Sequence, residues 1–414
     1  MFRLENLKRS AIISFWFVFL TFPITVLRVN TIEDTIRWRW YFIPFVAVIA
    51  FFMSLVWNYL LERQKIKTKK DSKVKQVYSD LKSKVTGLTH VKPVSIAAVV
   101  VLIVAFPFIA SFYQTNIMLS ALMYIMLALG LNIVVGIAGI LHLGHAAFFA
   151  IGAYSYALLN YHFGLNFWFA LPVGGFLGFS AGVLLSLPIL RLRGDYLAIV
   201  TLAFGEIVRI VLENWNELSF GPSGIANIPR PAIPGLDLGI IDTTRLVYYL
   251  LVAFTALTIV ITLRLKDSRI GRALIAMRED EIASQAMGIN ITKIKVLAFG
   301  LGSAIAGVAG VVFAARTTFI NPTSFRVWES VIILCIVVLG GRGSIVGVTF
   351  AGFIIILLPE YLRAFSEYRM LMFGALLVIM MIFKPNGIIP AKRKHYKINR
   401  KEANGNENAS EETV

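Results

Sequence analysis

Carboxylates, imidazoles and guanidiniums set into apolar sequence are where this chain could do chemistry, and they are few. Glu206 and Arg209 stand three positions apart in Thr201–Leu212, so on a helix they share a face and can pair. His142 and His145 have the same spacing. Two imidazoles without further ligands are a poor metal site, and His145 reads better as a packing or polar-lining residue. Glu329 opens the apolar run 328–340, where it either lines an entrance or caps a helix. Ionisable groups are expensive inside a bilayer, so each is a pathway candidate. For Glu206 and Arg209 the competing reading is a structural ion pair. None of this amounts to an active site. The chain has no GxxxxGK[ST] phosphate loop, no CxxC, no HExxH and no recognisable Ser/His/Asp set. We therefore expect no catalytic residue, no metal and no ATP site in this chain.

A denser cluster, Arg278-Glu279-Asp280-Glu281, lies in the polar stretch from Asp267 to Lys295. Asp267 or Ser268 can cap a short helix by accepting its orphan N–H groups. Ile270, Leu274 and Met277 follow at helical spacing, the charged run interrupts them, and Ile282 and Ala286 resume the stripe. Gly288 can end the second helix in a left-handed conformation. The acidic side chains fall near the start of that helix, where its dipole favours them. Short amphipathic helices of this kind fit a groove on a partner. A solvated linker lying on the bilayer is the alternative.

The elements that hold these residues are membrane spans. The chain is 57% hydrophobic with a mean hydropathy of +0.75, above the roughly 45–50% apolar content of soluble domains. Runs such as Val94–Phe112 and Tyr248–Leu263 have bilayer length, and backbone in hydrocarbon must satisfy its own hydrogen bonds. The alternating segments of a β-barrel are missing from the sequence. The expected fold is all-α, a polytopic transmembrane bundle of about 10–12 spans. These lie near 10–28, 40–61, 94–113, 117–138, 143–160, 165–190, 195–214, 246–264, 294–315, 328–340, 345–363 and 370–384. The short 328–340 and the Gly/Ala-rich 143–160 are candidates for half-helices or re-entrant segments. The N-terminal apolar stretch lacks a small-residue cleavage site and reads as a retained first helix.

A net charge of +17 would suggest nucleic acid in a soluble protein. Here it fits cytoplasmic loops beside membrane lipid, with no nucleic-acid partner. Residues 62–92 carry ten Lys or Arg against three acids. Placing them inside puts both termini, Arg191-Leu192-Arg193, the 265–293 loop and Gly341–Ser344 inside, and the Pro/Gly-rich loop 215–245 outside. The expected organisation is a two-helix extension and basic linker at 1–92, a permease core at 93–390, and a polar tail at 391–414. The single Cys335 allows no internal disulfide. Small residues at Ser303/Gly307, Ala306/Gly310 and Gly310/Ala314 let helices approach closely.

Several long segments carry a resemblance. They are Gly130–Gly136 (GLNIVVG), Ala150–Tyr154 (AIGAY), Leu190–Arg209 (LRLRGDYLAIVTLAFGEIVR), Gly221–Ile225 (GPSGI), Arg278–Gly288, and Val337–Ser344 (VVLGGRGS). Over about 118–390 the chain resembles the LivM-type permeases, membrane subunits of bacterial branched-chain amino acid ABC importers. The resemblance implies import of leucine, isoleucine and valine across the inner membrane. It implies as partners a LivH-like second permease, two cytoplasmic ATPase subunits that bind ATP and Mg, and a periplasmic amino-acid-binding protein. It also implies that Arg278, Glu279, Asp280, Glu281, Ile282, Ala283, Ser284 and Gly288 form a loop coupled to the ATPase. Ile282 and Ser284 depart from the general Glu-Ala-Ala-x-x-x-Gly pattern, while the spacing to Gly288 holds. Related permeases carry urea, short-chain amides or other amino acids, so the cargo stays open between these. An ion-driven carrier or channel is the reading from another class, with Glu206 as its one good mid-span carboxylate.

Overall fold

The computed structural model describes residues 27–30, 35–38, 44, 103–190, 192, 194–232, 239–361, 374, 378, 384 and 387–390. Apart from isolated positions and one short hairpin, the expected first two spans, the linker 62–92, the last span and the tail lie outside them, as do Arg191 and Arg193. The chain divides into two units, Met1–Val100 and Val101–Val414. In the first, β1 (Leu27–Asn30) pairs antiparallel with β2 (Thr35–Trp38), with Val29 opposite Ile36. Val, Ile, Thr and Trp suit a pleated strand. The helical reading of the sequence did not include this hairpin, which begins where the span 10–28 was expected to end.

The second unit is helical. Residues 103–109 are helical. Helix α1 (Phe112–Leu131) then starts at Ser111 with a capping box, Ser111 and Gln114 each accepting from the other's backbone N–H. It runs directly into a π-turn, Asn132–Ile137. There follow α2 (His145–Phe163), α3 (Phe167–Ile189), α4 (Asp195–Asn214) and the short α5 (Asn216–Ser219). Next come the long α6 (Ile240–Asp267), the pair α7 (Arg269–Glu279) and α8 (Glu281–Ala286), and α9 (Ile291–Thr317). A 3₁₀ turn (Pro322–Phe325) leads into α10 (Val327–Gly340), and α11 (Ile345–Tyr361) follows.

Among the described residues, five helical segments are long and apolar enough to cross a membrane: Phe112–Ile137, Phe167–Pro188, Ile240–Asp267, Ile291–Thr317 and Pro322–Gly340. The protein is a multi-pass membrane protein. Of the two suspected half-helices, the segment at 143–160 is a full helix: α2 has 19 residues, about 28 Å at 1.5 Å per residue, close to the hydrocarbon thickness. Helix α10 is short at 14 residues, and the 3₁₀ turn extends it to a 19-residue span.

Helices α1 and α9 form the middle of the core. Leu119, Ile125, Leu127 and Leu129 of α1 and Ala306, Ala309 and Val311 of α9 are fully buried. Glycine sets how closely the helices pack. A Cβ added to Gly178 of α3 would lie 2.6 Å from the Ser303 carbonyl of α9, and Gly152 of α2 sits against the backbone of Gly307. The small-residue faces expected on α9 are these contacts, made to α2 and α3. At the opposite end from α7 and α8, Ile225 and Ile320 exchange backbone hydrogen bonds. Tyr156 and Trp168 donate to the Pro229 and Ala232 carbonyls at 2.8 and 3.0 Å. The Pro/Gly-rich loop is thus tied onto the ends of α2, α3 and α9, except for 233–238, which lie outside the described residues.

Candidate functional site

The site is the α7–α8 pair and what holds it. Ser268 is the N-cap of α7, its hydroxyl accepting from Gly271 N at 3.1 Å, while Asp267 is the last residue of α6. Leu274 and Met277 are buried and seat α7 on the bundle. Asp280 joins the two helices alone. Its N–H closes α7 on Ala276 O at 3.1 Å, and its carboxylate accepts from Ala283 N at 2.9 Å to cap α8. Gly288 ends the segment at φ +84, and a Cβ there would meet nothing within 4 Å, so the demand for glycine is conformational.

The side chains divide into two sets. Arg278 is exposed, yet its Nη1 reaches back to donate to the Gly136 carbonyl of the π-turn at 2.6 Å. Ser284 is buried. Glu281, in the first turn of α8, accepts from Lys295 of α9 at 2.6 Å. Facing away from the bundle are Ala283 and Gln285, with Ile282 at 69% and Met287 at 83% exposure. Two large apolar groups on six-residue α8 and its C-cap are thus left uncovered. The sequence reading put Ile270, Leu274 and Met277 on one apolar stripe that Ile282 and Ala286 resume. Ile270 is part-exposed near the start of α7, and Ile282 is exposed, because the extended backbone of Asp280 (φ −154, ψ 114) breaks the helical phase between α7 and α8.

The remaining candidates lie elsewhere. Glu206 and Arg209 do pair, at 2.5 Å, and Arg209 also binds Glu213, four residues on, which the sequence reading did not name. His145 is the first residue of α2 and is buried edge-on to His142 and Phe148, with ring centroids 5.8 and 6.2 Å away. No group of three or more His, Cys, Asp or Glu that could hold a metal occurs among the described residues. Glu329 lies in the first turn of α10 and accepts the Tyr124 hydroxyl of α1. That contact joins residues 205 apart in sequence.

The irregular segment 138–144 between the π-turn and α2 is held by side chains from other helices. Leu143 N donates to Thr201 Oγ1 at 3.0 Å, and in the first turn of α2, just after the segment, Ala146 N donates to Ser330 Oγ at 2.8 Å. Non-helical backbone in a membrane protein needs such protein partners.

Residues 113–381 match the family described as branched-chain amino acid transport system / permease component. The chain is 42% identical over 403 residues to the high-affinity branched-chain amino acid transport system permease protein LivM of Salmonella typhimurium, covering 92% of each chain. It is also 42% identical to the LivM of Escherichia coli over 401 residues, again 92% of each. The permease protein LivH of Escherichia coli is 27% identical over 288 residues, which are 64% of this chain and 91% of LivH. No solved structure matches the chain.

Proposed function

This chain belongs to the family of branched-chain amino acid transport permeases, and we propose from that premise that it is one of two permease subunits of an ATP-driven importer. Its cargo is leucine, isoleucine or valine. The second permease is LivH-like, and the pathway forms between the two. A periplasmic binding protein delivers the amino acid. Two cytoplasmic subunits bind ATP with Mg and hydrolyse it, and this chain performs no catalysis itself. The termini and the α7–α8 end lie in the cytoplasm, as the charge distribution of the loops supports.

The observation that carries the reading is α8. It is capped by Asp280, ended by Gly288, tied to α9 through Glu281, and presents Ile282 and Met287 uncovered. A short, rigidly held helix with exposed apolar side chains suits a cleft on a soluble motor. ATP binding closes the motor dimer and moves α8, the bundle opens outward, and hydrolysis resets it. The two states interconvert because the motor binds them with different affinity.

Ile282→Asp tests this. It adds a charge at an exposed position, so folding is unaffected, but it should weaken docking by more than about 1–2 kcal/mol, the scale of an interface anchor. The ATPase should be lost from the purified complex. Stoichiometric ATPase and normal uptake in that variant would overturn the docking role of α8. The cargo is tested by competition: excess valine should suppress leucine uptake and excess urea should not.

A further inference from the structure

The α1 helix and its π-turn end in a C-terminus whose carbonyls lack ordinary helical partners. Ala138 N and Ile140 N close on the Ile133 and Val134 carbonyls at 3.1 and 3.0 Å. The Gly136 carbonyl receives the guanidinium of Arg278 at 2.6 Å. A cation on the C-terminal carbonyl of a helix is favoured by the dipole, and a charged donor makes the hydrogen bond strong.

The surroundings are cut to fit that arm. A Cβ on Gly139 (φ +75) would lie 2.5 Å from Arg278 Cγ, so the arginine stem occupies the space of the missing side chain. A Cβ on Gly136 would lie 2.5 Å from Gly343 N. That N–H donates to Asn132 Oδ1 at 2.9 Å, and the Gly343 carbonyl accepts from Lys266 Nζ of α6 at 2.9 Å. Arg278 therefore enters a junction of α1, α6 and the turn between α10 and α11. It lies two residues before Asp280, the hinge to the exposed helix. Midway along α1, Tyr124 reaches Glu329 of α10.

We propose that Arg278 is a positioning residue for transport: its hydrogen bond to the Gly136 carbonyl carries the displacement of α8 into α1. The proposal rests on the coupling role of α8. Arg278 is exposed as a residue, but its guanidinium is held by the Gly136 carbonyl, so its part in transport is to join α7 to the π-turn. Without the arm, the motor still docks and hydrolyses ATP, but α1 is no longer driven.

The test uses the complete transporter in proteoliposomes, comparing wild type, Arg278→Ala and Arg278→Lys. In Arg278→Ala the ATPase subunits should co-purify at wild-type stoichiometry, because Ile282 and Met287 are untouched. Amino acid taken up per ATP hydrolysed should fall by about tenfold or more, the scale of a lost charge-assisted hydrogen bond. Arg278→Lys keeps a cationic donor and should recover part of that loss, which a merely structural role would not produce. If the alanine variant does not accumulate, the lysine variant is read alone, and a reduced uptake-to-ATP ratio with normal stoichiometry is the expected result. An unchanged ratio in whichever variant accumulates overturns the inference, as does loss of the ATPase from it. If the wild-type complex holds no ATPase, the coupling reading itself fails, which is a different result from a coupled wild type with an equally coupled variant.

Discussion

Lys295 of α9 donates to the carboxylate of Glu281 of α8 at 2.6 Å, and the lysine is nearly buried at 8% exposure. This pair binds the exposed helix to a helix at the centre of the bundle. Glu281→Gln keeps an amide oxygen that can accept but removes the counter-charge of a buried ammonium, and the difference between a charge-assisted and an ordinary hydrogen bond is about 1 kcal/mol. We expect a lower thermal midpoint for the Glu281→Gln subunit and a reduced uptake-to-ATP ratio. Glu281→Lys combined with Lys295→Glu should recover part of both. No change in either quantity in Glu281→Gln would show that the pair is idle.

The α2–α3–α9 interface depends on glycine. Gly307 packs against the backbones of Gly174 and Gly178. Gly307→Ala should destabilise by about 1–3 kcal/mol, the range for overpacking a tight site, and Gly307→Leu should prevent accumulation of the subunit. Gly239, the N-cap of α6, whose added Cβ would meet nothing within 4 Å, is the control, and Gly239→Ala should lower the melting midpoint less than Gly307→Ala, by the loss of a favourable cap residue alone. Equal midpoints for Gly307→Ala and Gly239→Ala would contradict the packing account.

Gly288 lies at φ +84 with open space around it. Alanine there should cost about 1–2 kcal/mol of local backbone strain. Asparagine, which visits the left-handed region more readily, should cost less. Proline cannot adopt the angle at all. The expected order of uptake is wild type, Gly288→Asn, Gly288→Ala, Gly288→Pro. The proline variant should remain in the membrane with its ATPase activity uncoupled from transport. Normal uptake in Gly288→Pro would place the docking helix elsewhere.

Much of the site was legible because its chemistry is local. Ser268, one of two caps the sequence offered, and Gly288 act on backbone within three or four residues, and such signals are written in short sequence, whereas Asp280 was read only as one of three acids near the helix start and proves to be its cap. The small-residue faces of α9 were legible for the same reason. What was hidden depends on contacts distant in sequence. Nothing in Asn132–Ile137 marks a π-turn, and the inward path of Arg278 exists because Gly139 and Gly343 leave room for it. The Tyr124–Glu329 contact joins α1 to α10 and has no local signature. Glu213 did have one: it stands four residues after Arg209, the usual spacing of a helical ion pair. That the stripe turns from the bundle at Leu274 and Met277 to the outside at Ile282 was not legible, because a single extended residue, Asp280, sets the direction of the second helix.

Arg209 holds two carboxylates, Glu206 and Glu213. Removing the cation alone leaves two like charges on one helix face. Arg209→Met should therefore lower the thermal midpoint more than Arg209→Met combined with Glu206→Gln and Glu213→Gln. The combined variant should keep uptake within about threefold of wild type, because exposed or half-exposed ion pairs contribute about 1 kcal/mol or less each. Complete loss of uptake in a stably folded combined variant would instead make this trio part of the pathway.

The most direct test of the account is purification of the tagged subunit in mild detergent, with identification and stoichiometry of everything bound. The account expects a second permease and a soluble ATPase in stoichiometric amounts, with ATP hydrolysis stimulated by a leucine-loaded binding protein. A homo-oligomer free of ATPase would contradict it and return the chain to the class of carriers or channels.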